Sequence, residues 1–376
     1  EELSWTRSMT TLPLVTRNIL SFALGPVIGP MVDRYGPRYL MVGGAVIVGL
    51  GTFLVYRTNS LWQFFLFFSV IGSIGYAGLS NVVTATVISK WFIRLRGRAT
   101  GLAGTGINVG EAVMTPLVLF LITTVGWRTA WMVLGIIPWV IIAPTSFFLM
   151  RRSPEDMGLK PDGDTEESLA AARDRPSSKR RTKDEYAWTV KEAFRTPTLW
   201  LLVVATNLAS LAVAGVVMHQ IPHLTDRGLS EGVAALSLTL YAIFAIPSKL
   251  IWGFMAERIH IRYLSAVSMF GSAFGLLILL RADTFAEAVA FGVAYGLTRG
   301  AWHVIQSLLW ADYFGRQFQG AIRGFVAPLQ LVSTVGGPIF AAFIYDTTGS
   351  YESAFSIFVV SFVLSGAPGP TPSTTP

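Results

Sequence analysis

The chain has 376 residues, of which 52% are hydrophobic and only 14% charged, with a net charge of +7 and no cysteine. Soluble domains carry about a quarter charged residues, so this composition excludes a water-soluble fold. The absence of cysteine excludes disulfides and thiolate metal sites, and the positive excess need not mean nucleic acid, because polytopic membrane proteins gather Lys and Arg on the loops of one face.

A helix of about 20 apolar residues crosses a bilayer. Apolar runs of that kind follow one another at 9–31, 39–56, 61–89, 99–124, 129–150, 198–222, 231–255, 263–281, 285–310, 322–344 and 352–365. The expected fold is therefore an all-α polytopic membrane protein. Alternate loops differ in charge. One set holds Arg34 and Arg38, then Lys90, Arg94, Arg96 and Arg98, then the basic segment 151–196, then Arg258 and Arg262, then Arg316 and Arg323. The other set holds single cations: Arg7, Arg57, Arg128, Arg227 and Arg281. The first set is expected to face the cytoplasm. Segment 151–196 mixes both charge signs with Pro and Ser, and reads as a partly disordered cytoplasmic linker in which 188–195 forms a short surface helix. The expected domains are a bundle at 1–150, the linker at 151–196 and a second bundle at 197–376.

The two bundles repeat each other. "GPMVDRYGPRYL" at 29–40 matches "GFMAERIHIRYL" at 253–264, and "WFIRLRG" at 91–97 resembles "YFGRQFQG" at 313–320. The chain thus reads as two parallel copies joined by the linker. At the same spacing, span 198–222 has its partner before residue 1. The expected parent has two sets of six spans, of which this chain lacks the first helix, and the 376 residues alone are not expected to transport.

Gly29, Asp33, Arg34, Gly36 and Arg38 resemble the G-x-x-x-D-R-x-G-R-R signature of the major facilitator superfamily, with Pro37 in place of an Arg. "SWTR" at 4–7, "KWFIRLRGRATGLA" at 90–103, "RRSPEDMGLKPDGD" at 151–164, "ADYFGRQFQGAIRG" at 311–324 and "YDTTGSYESAF" at 345–355 resemble its oxalate/formate antiporter and monocarboxylate transporter branch. The resemblance implies a major facilitator fold and a transporter of small organic anions. Asp33, Arg34, Arg38, Glu257 and Arg258 are the gating candidates; a plain orientation signal is the alternative. "GTGINVG" at 104–110 follows no strand and so is not a dinucleotide loop; its small residues suit close helix packing.

Three cations fall inside spans: Arg17, Lys249 and Arg299. In the repeat they correspond to Tyr241, Gly25 and Gly75, so the shared scaffold does not require them. Charge at bilayer depth is expensive and usually functional. Among the acids only Glu111 is mid-span, which leaves an excess of positive charge suited to an anion. Tyr295, Arg299, His303 and Gln306 recur at helical spacing and form one polar stripe. Ser73, Tyr76, Ser80 and Thr84 form an uncharged counterpart. The candidate substrate-binding residues are Arg299, His303, Lys249, Arg17, Gln306, Tyr76 and Tyr295. Arg299 could instead pair with Glu111, while Arg17 and Lys249 could reach towards the membrane surfaces. The resemblance implies a substrate-binding Arg where Lys249 stands, and in oxalate exchangers a Lys within 322–344, where Gln330 is the nearest polar residue. Both departures disfavour oxalate.

Glu111 and His303 are the candidate proton carriers, since burial raises a carboxyl pKa and histidine titrates near neutrality. The reading is a secondary transporter of a small organic anion, a monocarboxylate, coupled to protons. An exchanger of the oxalate/formate type and a non-transporting sensor of the same fold are the alternatives. No HExxH, GxSxG or clustered acid pair occurs in the spans, so no catalytic residue, metal or cofactor is expected, and the protein is not expected to be an enzyme. The expected partners are the anion, protons and the lipid of the cell membrane, with a monomeric chain.

Overall fold

A computed structural model describes residues 5, 7–165, 187–300 and 302–366. Among them every regular element is helical: α1 (Arg7–Ala23), α2 (Gly25–Tyr35), α3 (Pro37–Leu54), α4 (Leu61–Trp91), α5 (Arg96–Leu149), α6 (Val190–Phe194), α7 (Pro197–Asp226), α8 (Glu231–Ala256), α9 (Ile261–Leu280), α10 (Phe285–Arg299), α11 (Trp302–Phe314), α12 (Gln319–Thr348) and α13 (Glu352–Gly366).

Local chemistry sets the helix ends. Ser60 with Gln63 starts α4, and Thr284 with Glu287 starts α10, each as a reciprocal capping box. Pro197 follows the Thr196 cap of α7, where its missing N–H costs nothing. Gly36, at φ +80°, stops α2 immediately before Pro37 begins α3. Gly126, also at φ +80°, breaks the long run α5, so that the run holds two of the expected spans. The first expected span is bent by 50° between α1 and α2. It extends to Tyr35, which places Asp33 and Arg34 on the last turn of α2 instead of in a loop.

Seven runs among the described residues are long and apolar enough to cross a membrane, and the bent pair α1–α2 makes an eighth. The Gly126 break in α5, the pair α10–α11 and the apolar 15-residue α13 account for the remaining expected spans. Large apolar side chains such as Leu119, Phe148, Phe274 and Val332 point outward, as lipid-facing surfaces require.

Contacts group the chain into two compact units that do not follow the sequence halves. One unit takes described residues of 1–93, 109–190 and 315–328; the other takes those of 94–108, 191–314 and 329–376. In the first, α3 packs on the 72–78 part of α4. Glycine lets the backbones meet there: a Cβ on Gly78 would lie 2.6 Å from the Leu40 carbonyl oxygen. In the second, α7, α9 and α13 surround Phe291, Tyr295, Phe355, Phe358 and Phe362, all fully buried.

Segment 151–165 is more ordered than expected of a linker. It makes two short turns, at Glu155–Met157 and Pro161–Gly163. The Asp162 carboxylate accepts the Ile93 N–H at 3.2 Å, and the Trp91 indole donates to the Arg151 carbonyl at 3.2 Å. The expected helix at 188–195 is α6. The rest of the linker, 166–186, and the Pro-rich tail after residue 366 lie outside the described residues.

Candidate functional site

Two backbone crossings hold the gating candidates. In the first unit α2 meets the start of α12. A Cβ on Gly29 would strike the Gly320 carbonyl oxygen, and one on Gly25 would lie 2.5 Å from that of Gly324. Asp33, 8% exposed, extends this contact: its Oδ1 meets Lys90 Nζ at 2.9 Å and its Oδ2 accepts the Ala321 N–H at 2.7 Å. A carboxylate at a helix N-terminus satisfies an otherwise orphan donor and complements the helix dipole.

In the second unit α8 meets the start of α5 in the same way. A Cβ on Gly253 would lie 2.5 Å from the Gly97 carbonyl oxygen, and one on Gly101 would lie 2.7 Å from that of Lys249. Glu257 accepts the Arg98 N–H at 3.4 Å and its guanidinium at 2.8 Å. By the repeat, Gly29 and Gly320 correspond to Gly253 and Gly97, and Asp33 and Ala321 to Glu257 and Arg98. The two crossings are thus repeat mates. The remaining gating candidates stack on aromatic rings: Arg34 on Tyr35 at 5.3 Å, Arg38 on Phe147 at 4.0 Å and Arg258 on Phe254 at 4.2 Å.

The cations of the spans have three different settings. Arg17 is half-buried in the first unit, with its Cζ 4.8 Å from the Phe68 ring and 5.1 Å from Tyr76, so Arg17 and Tyr76 come together. Lys249 is buried, and its Nζ donates to the Gly104 carbonyl at 3.0 Å and to Asn108 Oδ1. It is held by α5 and does not extend to a membrane surface. Arg299 is buried at the end of α10, its Nε without a hydrogen-bond partner and its Cζ 5.8 Å from the Trp302 ring. None of the ion pairs found among the described residues includes it.

The stripe around Arg299 is not uniform. Tyr295 is fully buried against Phe291 and Tyr241, at 5.3 and 5.6 Å, and its hydroxyl lacks a hydrogen-bond partner among the described residues. Gln306 is buried, whereas His303 is exposed. Glu111 is exposed too, which corrects the expectation of a buried carboxyl. The part of α5 that packs on α8 ends near Asn108, and Gly106 and Gly110 have nothing within 4 Å of an added Cβ. Close packing through "GTGINVG" therefore holds at Gly104, against Lys249, and not along the rest of the motif. Arg299 and Glu111 belong to different units.

Several contacts of charged residues were invisible in the sequence. Lys90, Arg96 and Arg323 were placed in loops as orientation signals, but all three are on helices and at most 8% exposed. Arg96 pairs with Asp312 at 3.2 Å. Arg316 bonds Glu155 at 2.8 Å and the Lys90 carbonyl at 3.1 Å. Arg227 joins Asp283 at 2.6 Å and Glu352 at 2.9 Å. Lys90, Arg96, Arg316 and Arg323 do lie in the stretches that carry the family resemblance, whereas Arg227 lies in none of them.

The family model of the Major Facilitator Superfamily matches residues 1–230 and 200–370. The chain belongs to the Major Facilitator Superfamily. Its similarity within this superfamily extends to monocarboxylate transporter 2 of Homo sapiens, 27% identical over 88% of this chain and 70% of that protein. Monocarboxylate transporter 12 of Mus musculus is 25% identical over 87% and 69%. The oxalate:formate antiporter of Oxalobacter formigenes is 25% identical over 89% and 75%. Among solved structures, the major facilitator proton:xylose symporter XylE covers 97% of this chain and 86% of its own, with a TM-score of 0.74 at 15% identity. The human organic anion transporter MFSD10 covers 95% and 84%, with a TM-score of 0.66 at 17% identity. These likenesses establish the major facilitator fold of a multi-pass membrane protein whose relatives are transporters.

Proposed function

We propose that the protein is a secondary transporter of a small organic anion, a monocarboxylate, which moves by alternating access between two sequence repeats. The observation that carries this reading is Arg299: a guanidinium buried about 21 Å along its helix from Phe285 at about 1.5 Å per residue, without an ion-pair partner among the described residues and absent from the sister repeat, where Gly75 stands. An unpaired buried charge is costly, and an anionic substrate is a partner that can come and go. Guanidinium grips a carboxylate by two parallel bonds. Arg17 with Tyr76, Lys249, His303, Gln306 and Tyr295 complete the proposed binding set. The monocarboxylate transporters among the relatives support the substrate class.

The two crossings are the proposed gate. Asp33 and Glu257 tie α2 to α12 and α8 to α5 in the state described, and both ties must break for that end to open. Lys and Arg gather at this end, which supports a cytoplasmic orientation, with the linker on the same side of the cell membrane. Glu111 and His303 are the proposed proton carriers. Exchange of two anions is a second reading, favoured by the similarity to the oxalate:formate antiporter. The full-length parent in liposomes, offered lactate, pyruvate, formate and oxalate with and without a pH gradient, tests these readings. Monocarboxylate uptake driven by an inward proton gradient supports symport. Uptake that depends only on anion loaded on the far side supports exchange. No flux of any of the four overturns the transport reading in favour of a sensor.

A further inference from the structure

The α2–α12 crossing holds a charge that the gate does not use. Arg323 lies between Gly320 and Gly324, two of the residues that touch α2. It is 8% exposed, and its Nη1 is buried and donates to nothing among the described residues. None of the ion pairs found among them includes it. A charged donor closed away without an acceptor is costly.

The repeat shows that the crossing does not need this charge. Gly320, Arg323 and Gly324 correspond to Gly97, Thr100 and Gly101. Thr100 is equally buried, and its hydroxyl donates to the Arg96 carbonyl at 2.8 Å. A neutral side chain that satisfies itself therefore completes the same backbone contact. The sister crossing carries its own cation, Lys249, and supplies it with the Gly104 carbonyl and Asn108. Arg323 has been given nothing comparable.

We propose that Arg323 is an anion-binding residue at the Lys- and Arg-rich end of the protein, which takes the carboxylate of the transported anion as α2 and α12 part. The proposal rests on the transport reading. Opening the crossing exposes a guanidinium whose Nη1 the closed state leaves unsatisfied, and a carboxylate meets it with two charge-assisted bonds. Arg323 is thus a station on one side of the membrane, distinct from Arg299 deeper in its span.

The test uses uptake of labelled lactate, pyruvate, formate and oxalate into right-side-out and inside-out vesicles that contain the full-length parent. Arg323→Thr copies the sister residue and leaves the crossing intact. It is expected to raise the half-saturating concentration at the basic end at least about tenfold, with the opposite end changed less than about twofold. Arg323→Lys is expected to fall between. Should the threonine variant not reach the membrane, Arg323→Lys carries the same comparison and must show the same asymmetry. Equal effects at both ends, or none, overturn the proposal. If Arg299→Ala abolishes uptake while Arg323→Thr changes nothing, Arg323 is excluded and the transport reading stands. If the unmodified protein moves none of the four anions, both fall together.

Discussion

The carboxylate of Asp33 accepts the backbone N–H of Ala321 at 2.7 Å, across 288 positions of sequence. The same oxygen pair holds Lys90 at 2.9 Å. One side chain therefore joins the end of α2, the end of α4 and the start of α12. This places the signature aspartate at a contact among three helices.

Asp33→Asn keeps the shape and removes the charge. Breaking one side of a buried ion pair costs about 3–5 kcal/mol, here charged to one state of the gate. Turnover is expected to change by at least about tenfold while substrate affinity stays within about twofold. Steady-state flux and equilibrium binding on the same variant separate the two. A large loss of affinity at unchanged turnover would contradict the assignment.

The glycine contacts predict a steric counterpart. A Cβ on Gly29 meets the Gly320 carbonyl oxygen directly, and backbone cannot give way as a side chain can. Gly29→Val is expected to hold the α2–α12 crossing open. The chain lacks cysteine, so a single cysteine at Ala327, a buried neighbour of Gly25, reports on it. Thiol labelling at this position should speed up at least about tenfold in the valine background. Unchanged labelling in a folded protein would show that the crossing does not gate access.

How much of this was legible in the sequence depends on the kind of signal. The spans, the repeat and the Asp33–Glu257 correspondence were readable because hydropathy and self-similarity extend over many residues. The partners were not. Lys90 carries one charge near a helix end, which is also what an orientation signal looks like. Arg323 was counted with the loop charges because it stands at the very start of the apolar run 322–344, whereas α12 already begins at Gln319. Glu111 was expected to be buried because hydropathy gives depth along a helix and not which face is packed. Arg299 stood out because its sister residue is Gly75, a contrast that survives without coordinates.

Glu111→Gln tests the coupling. Glutamine preserves size and cannot ionise. Proton-driven uptake is expected to disappear while anion exchange persists at more than about half the original rate. Uptake that still follows the pH gradient would shift the role to His303.

Segment 151–165 should respond to acid in a defined window. Burial alone would raise the Glu155 pKa, but hydrogen bonds from its own N–H, Arg316 and Ser153, with the Arg316 charge, outweigh it and hold the carboxyl below its ordinary 4.5. A depressed pKa stabilises the fold above the unfolded value and loses that contribution as pH falls through the folded value. Hydrogen exchange in this segment is therefore expected to be flat from neutrality down to the ordinary carboxyl range and to rise below it. Glu155→Gln should remove the acid dependence. A transition near pH 6 to 7 would point to a different titrating group.

The most direct test of the account is anion binding to purified Arg299→Ala, measured together with its melting temperature. Affinity for the best-bound of lactate, pyruvate, formate and oxalate should fall at least about tenfold, with melting little changed and Arg299→Lys intermediate. If Arg299 instead serves structure through Glu111, Arg299→Ala would melt early and Glu111→Gln would restore it. A well-folded Arg299→Ala protein with unchanged anion affinity would contradict the account.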